Sequence, residues 1–140
     1  MKTLYAVALV SLFICSPLLS PVSATTAQND TDRAAADWLK LIDIGNYDAS
    51  WQAASSLFQN AVSQADWSKT IQAVRSPLGA MSTRQLTNSQ ETTTLPGAPD
   101  GHYRILSYFT SFANKHSAVE TLTLMQETDG SWRSAGYFIH

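Results

Sequence analysis

The sequence predicts an α+β domain in which three N-terminal helices pack on a curved four-stranded antiparallel meander. Two observations lead to this prediction. Between residues 31 and 75, apolar side chains recur every three or four positions, which is the period of an amphipathic helix. From residue 81 onward, segments rich in β-branched and aromatic residues are separated by short turn signals, as in antiparallel strands. Helices that precede such a sheet must cover one of its faces, and a long curved sheet closing over them makes a cone with an interior cavity.

The three predicted helices have distinct sequence signals. The first runs from Thr31 and stops at Gly45, a residue type that commonly ends helices. The second covers residues 47–62, where large apolar residues recur at spacings of four, three, four and four. The third begins at Ser63, whose hydroxyl can cap the helix, while Asp66 favours the positive end of the helix dipole.

The four predicted strands are bounded by turns. Pro99, Asp100 and Gly101 form a turn signal before the second strand, and Asp129-Gly130 is a two-residue hairpin signal before the fourth. The strands are expected over residues 81–94, 102–113, 117–127 and 131–140.

The first 24 residues predict an export signal. Lys2 supplies a positively charged start, an apolar run of about a dozen residues follows, and Val22-Ser23-Ala24 fits the small-residue pattern of signal peptidase. We place cleavage after Ala24, which leaves a single domain over residues 25–140. The apolar run is shorter than the roughly 20 residues that a membrane-spanning helix needs. We therefore expect a periplasmic or secreted protein with no integral membrane segment after cleavage.

Charge and cysteine content restrict the chemistry of the mature chain. The full sequence has a net charge of −2, and removing Lys2 with the signal leaves 8 basic and 11 acidic residues, a net charge of −3; the charged residues are scattered, so we expect no nucleic-acid partner. Cys15 is the only cysteine and lies within the predicted signal. The mature chain is thus expected to have no disulfide, no thiolate metal ligand and no cysteine nucleophile.

Four segments of the chain carry a resemblance to a known family: "AAADWLKLIDIGNYDASW", "VRSPLGAMSTRQL", "LPGAPDGHYRILSYFTSF" and "DGSWRSAGYFI". They closely resemble small exported bacterial proteins catalogued as domain of unknown function 4019. The resemblance covers essentially the whole mature chain. The order of helices and strands also looks like the nuclear-transport-factor-2-like, or cystatin-like, cone fold. Since the family has no established reaction, the resemblance informs the fold rather than the function.

Metal binding is not expected, and no cofactor is predicted. His102 and His116 flank the second predicted strand, which at about 3.3 Å per residue separates them by roughly 35 Å. They cannot share one metal ion. The sequence also has no G-x-S-x-G motif and no glycine loop that opens a helix.

Charged residues inside the predicted strands are the main candidates for a polar site. If the face that holds Glu120 looks into the cone, Glu120 is a buried carboxylate that needs Arg84 or Arg104 as a partner. An unpaired buried carboxylate would suit general-base catalysis. The interpretation we favour is a cross-strand salt bridge on the solvent face, because charged residues are seldom fully buried.

The second predicted strand is apolar on both faces. Period-2 alternation places Tyr103, Ile105 and Phe109 on one face, and Leu106, Tyr108 and Phe112 on the other. One face must cover the helices. The other face either lines a second layer, pairs with another subunit or binds a ligand.

The sequence therefore favours a non-enzymatic binding or protein-interaction module, with a homodimer through the sheet, a small apolar ligand or a protein as its partner. The alternative is a small-molecule isomerase or hydratase with Glu120 as general base. The enzyme requires Glu120 in an enclosed pocket, whereas the interaction module requires an exposed apolar sheet face. The expected contact residues are Arg84, Tyr103, Tyr108, Phe109, Phe112, Glu120 and Tyr137.

Overall fold

A computed structural model describes residues 22–140, so nearly all of the predicted export signal lies outside the described residues. Helices come first, and a four-stranded antiparallel sheet follows whose strands are adjacent in chain order, which confirms the α+β class. The elements are α1 (Val22–Asp43), α2 (Tyr47–Gln52), α3 (Ser56–Ala61), α4 (Gln64–Arg75), a 3₁₀ turn (Ser76–Leu78), β1 (Met81–Thr92), β2 (Tyr103–Phe112), β3 (Lys115–Gln126) and β4 (Trp132–Ile139).

Residues 22–140 contain four α-helices rather than the three that the sequence predicts. The predicted second helix is divided into α2 and α3 because Ser55 adopts an extended backbone and caps α3 by accepting a hydrogen bond from the Phe58 N–H at 3.2 Å. The Ser55 N–H in turn donates to the carbonyl of Ser134 in β4 at 2.8 Å. Both short helices face the same core, so the apolar spacing continues across the break and resembles that of one helix.

Helix α1 begins at Val22, earlier than the predicted start at Thr31. Thr31 is fully buried, and its hydroxyl donates to the carbonyl of Gln28 at 2.8 Å. The predicted stop is confirmed. Gly45 has a φ of 75°, and its N–H donates to the carbonyl of Ile42 at 3.1 Å, which satisfies one of the last helix acceptors.

The predicted start of the last helix is also confirmed, since the Ser63 hydroxyl accepts a hydrogen bond from the Asp66 N–H at 3.2 Å.

A cluster of aromatic rings from α1, α3 and α4 lies between the helices. Trp67 meets Phe58 edge-on with ring centroids 4.9 Å apart, and its indole N–H donates to the buried Ser50 hydroxyl at 2.9 Å. The Trp38 indole N–H donates to the Ser50 carbonyl at 2.8 Å, so Ser50 serves both rings.

The helices cover the inner face of the sheet, to which β2 and β3 contribute the fully buried side chains of Leu106, Leu122 and Leu124. The opposite, outer face carries Phe109 and is mostly open to solvent. One end of the outer face is covered locally. There Tyr103 is buried beneath the loop over residues 93–102, and its hydroxyl donates to the Pro99 carbonyl at 2.6 Å.

Within residues 22–140, no helix is both long enough and apolar enough to cross a membrane.

Candidate functional site

A buried network of charged and polar side chains surrounds Glu120 on the inner face of the sheet. Glu120 is 0% exposed, and its carboxylate accepts four hydrogen bonds. Arg84 donates two of them, from Nε at 2.6 Å and from Nη2 at 3.0 Å. Thr110 donates a third from its hydroxyl at 2.5 Å, and the Tyr137 hydroxyl donates the fourth. Because a carboxylate offers about four lone-pair sites, that of Glu120 is saturated.

Arg84 links this carboxylate on β3 to helix α1. Its Nη1 donates to Asp43 Oδ2 at 2.7 Å and its Nη2 donates to Asp43 Oδ1 at 2.8 Å. Burial by itself lowers the pKa of Arg84, but hydrogen bonds to Asp43 and Glu120, together with their charges, raise the pKa above its ordinary value overall. The guanidinium is therefore a permanent cation between two carboxylates.

Arg75, the last residue of α4, completes the network. Its Nη2 lies 3.2 Å from Asp43 Oδ1, its Nη1 lies 3.6 Å from Glu120 Oε1, and its guanidinium stands 4.6 Å from the centroid of the Phe112 ring. The longer distance makes an ion pair but no hydrogen bond, and Nη1 has no hydrogen-bond partner. Two guanidinium groups face two carboxylates, so the network is balanced in charge.

This geometry makes Glu120 a buried and fully paired carboxylate. The sequence correctly names Arg84 as a partner, but the favoured salt bridge on the solvent face does not form, since Glu120 lies on the helix-covered face. The carboxylate is neither unpaired nor accessible to a substrate. Burial, and then the charge of Glu120, raise the pKa of Tyr137, so the Tyr137 hydroxyl remains a neutral donor to the carboxylate.

An open cleft of about 370 Å³ lies between α1 and strands β1 and β2, next to the network. Leu39 and Asp43 line it from the helix, and Arg84, Leu86 and Tyr108 line it from the sheet. Burial, and then the charge of nearby Asp32, raise the pKa of Tyr108 to about 12. Because Arg84 and Asp43 line the cleft and Glu120 does not, the cleft reaches the Arg84–Asp43 pair but not the Glu120 carboxylate.

The outer face of the sheet carries three exposed apolar side chains, Phe109, Val119 and Phe138, which are 48%, 40% and 62% exposed. Phe109 lies directly opposite Val119 across β2 and β3. Phe138 lies opposite Thr121, two residues along the same face from Val119. We call these three residues the outer patch.

The structure thus distributes the predicted contact residues over several environments. Arg84, Glu120 and Tyr137 meet in the buried network, with Phe112 under Arg75 beside them. Tyr108 lines the cleft, Phe109 lies on the outer patch and Tyr103 is buried under a loop. The side chains of Tyr103, Phe112 and Tyr137 are buried.

Four important residues were missed by the sequence reasoning: Asp43, Arg75, Val119 and Phe138. Val119 and Phe138 carried a usable signal, because period-2 alternation places Val119 on the face opposite Glu120. Asp43 carried none, since its contact with Arg84 joins residues 41 positions apart. Arg75 lies in the segment "VRSPLG" and reaches Asp43 and Phe112, which are 32 and 37 positions away in the sequence.

Comparison with known proteins places this arrangement in a family. Comparison with curated proteins gives no match. Residues 34–137 match the family described as protein of unknown function (DUF4019), and the match includes α2 to α4, the first three strands and the residues of the buried network. Because this match spans most of the chain, the protein belongs to the DUF4019 family.

Proposed function

We propose that the protein is an exported, non-catalytic interaction module of the bacterial envelope, and that a second copy of the chain is its partner at the outer patch. The observation that supports this is the exposure of Phe109, Val119 and Phe138 on one side of the sheet. Contiguous apolar side chains on an otherwise polar surface commonly mark a protein interface.

The surroundings of the outer patch favour a second copy over a charged partner. Most outer-face positions around the patch carry uncharged side chains, mainly Thr, Ser and Gln, with His140 opposite Val119, so two copies can face each other there with little repulsion between like charges. A two-fold axis places the same patch on both sides of the contact. These positions include Thr83, Gln85, Ser107, Thr121 and Thr123.

The size of the face is adequate for a dimer. The strands contain 12, 10, 12 and 8 residues. With about 3.3 Å per residue and about 4.8 Å between strands, the sheet presents roughly 600–700 Å². A standard interface buries about 800 Å² on each partner, and the loop over residues 93–102 covers one end of this face, so face-to-face packing of two sheets gives an interface at the small end of the range.

The isomerase or hydratase alternative has weaker support. A general base must reach the proton that it abstracts. Glu120 is 0% exposed and already accepts four hydrogen bonds, so taking up a proton would disrupt bonds to Arg84, Thr110 or Tyr137. The geometry therefore supports an interaction function better than catalysis.

We also propose that the protein is exported and that its sheet curves over the helices as in a cone fold. The signal pattern of the N-terminus supports export. Helix α1 spans the expected cleavage position, and cleavage after Ala24 would remove only Val22–Ala24 from it. The side chains that α1 uses in the core, such as Trp38 and Ile42, would remain. Sequencing the N-terminus of the protein recovered from the periplasm tests this directly, and a start at residue 25 is the expected result.

Sedimentation velocity of residues 25–140 tests the dimer. We expect self-association between about 1 and about 100 µM, and we expect Phe109→Ser with Phe138→Ser to weaken it at least tenfold, since burying each ring contributes about 1.5–3 kcal/mol. Leu86→Ser is the matched control, because Leu86 is 41% exposed but lines the cleft. A wild-type protein that stays monomeric, or a double variant that associates like the wild type, would rule out the proposed dimer.

A further inference from the structure

Strand β4 is an edge of the sheet and has two unequal halves. In the first half, the Ser134 carbonyl accepts a hydrogen bond from the Ser55 N–H at 2.8 Å, so the helices close this part of the edge. A register shift follows, because Thr123 pairs with Gly136 while Leu124 pairs with Ser134. Ala135 is therefore a bulge residue, and the strand beyond it is set apart from the closed half.

The second half of β4 presents a free backbone edge. Val119 and His140 exchange both backbone hydrogen bonds, at 3.2 and 2.9 Å. In an antiparallel pair such bonded positions alternate, so the backbone groups of Phe138 also face β3. Those of Tyr137 and Ile139 face away from β3. In the described part of the chain they have no backbone partner on that side.

An apolar groove of about 480 Å³ lies beside this free edge, between β4 and helices α3 and α4. Phe58, Val62, Trp67, Ile71 and Val74 line it from the helices, and none of the residues that line it is charged. Val74 is 41% exposed at its rim. A free strand edge and an uncharged apolar groove therefore occur at the same place.

We propose that this groove binds an extended apolar segment of another polypeptide, which adds as a strand beside residues 136–139. The free N–H and C=O groups of Tyr137 and Ile139 require an occupant with a peptide backbone, which a lipid or a hydrocarbon lacks. A four-residue extended stretch directs about two side chains into the groove. Those side chains are uncharged, because a charge in this lining would be buried without a partner.

Backbone amide exchange and chemical shifts, followed by NMR on ¹⁵N-labelled protein over residues 25–140, test the proposal. The probe is a pool of capped pentapeptides with Val, Leu, Ile or Phe at the second and fourth positions and Thr elsewhere. We expect saturable shifts and at least about tenfold slower exchange at the amides of Tyr137 and Ile139. Val74→Asp should weaken binding at least about tenfold. Ala73→Asp, an exposed neighbour on the same helix that does not line the groove, should leave binding unchanged.

Three results would overturn the inference. Unchanged amides at Tyr137 and Ile139 up to millimolar peptide would show that the edge does not accept a strand. Equal binding of backbone N-methylated peptides would show that the groove takes apolar groups without strand addition. Protection of the two amides that rises with protein concentration alone would show that a second copy occupies the edge. Phe138 lines both the outer patch and the groove, whereas Phe109 does not line the groove, so the single variant Phe109→Ser measures the proposed dimer separately and the two proposals can fail independently.

Discussion

Replacing Arg84 with methionine should lower the free energy of unfolding by about 3–5 kcal/mol, the range seen when one partner of a buried ion pair is removed. The variant keeps an apolar side chain of similar length but loses four hydrogen bonds to two carboxylates. Most of the cost should come from Glu120, which is 0% exposed and would retain Thr110, Tyr137 and the longer ion pair with Arg75. Asp43 is 19% exposed, so water can replace part of what it loses.

Urea unfolding followed by tryptophan fluorescence measures this change. Arg33→Met is the control for the loss of an exposed arginine and should stay within about 0.5 kcal/mol of the wild type. Arg104→Met should lower the free energy of unfolding by more than Arg33→Met but by less than Arg84→Met. Its guanidinium is buried like that of Arg84, but its partner Glu91 is 72% exposed and can be solvated once Arg104 is removed.

A double variant isolates the charge effect. Combining Arg84→Met with Glu120→Gln should cost less than the sum of the two single changes, because the second change removes the carboxylate that the first leaves unpaired. The reasoning would be refuted by an Arg84→Met cost below about 1 kcal/mol with an unchanged denaturant slope. Strict additivity in the double variant would also refute it, because it would mean that Arg84 and Glu120 are not coupled.

Three further predictions follow from single contacts. Burial and a neighbouring carboxylate raise the pKa of Tyr137 above 10, so its stabilising contribution is complete below pH 10 and is lost as the pH rises through the folded-state value. Between about pH 9 and 11.5, urea unfolding should show the wild type losing up to about 1.4 kcal/mol per pH unit relative to Tyr137→Phe. Ser50→Ala should lower the free energy of unfolding by about 1–3 kcal/mol, because the buried Trp67 indole N–H loses its acceptor, and calorimetry measures this change. Gly45→Ala and Gly79→Ala both place a side chain at positive φ, but only at Gly79 would Cβ lie 3.1 Å from neighbouring side chains, so Gly79→Ala should give the lower melting temperature.

Features set by local sequence were predictable. The Ser63 cap, the stop at Gly45 and the four strand segments depend on residues within a few positions of each other, and the structure has all of them. The break between α2 and α3 was not predictable in this way. It is fixed by the hydrogen bond from Ser55 to Ser134, which joins residues on opposite layers of the fold.

The candidate site was predictable only in part, for the same reason. Period-2 alternation correctly separates Phe109 from Tyr108, but it cannot say which face the helices cover when both faces are apolar. The pairing of Glu120 with Arg84 was among the predicted alternatives, yet its burial depends on Asp43 and Arg75 arriving from two different helices. A charged residue at a core position becomes acceptable only through partners that the strand sequence does not contain.

The buried network also determines where function can be sought. Its charges are balanced within the core, so we look for function at the outer patch, which has exposed apolar side chains, and at the β4 groove, which adjoins a free backbone edge. Phe138 belongs to both, whereas Phe109 belongs only to the patch and Val74 only to the groove. Phe109→Ser should therefore weaken self-association and spare peptide binding, and Val74→Asp should do the reverse. If either variant impaired both, the two surfaces would be one interface, and a single partner would have to account for the patch and the free edge together.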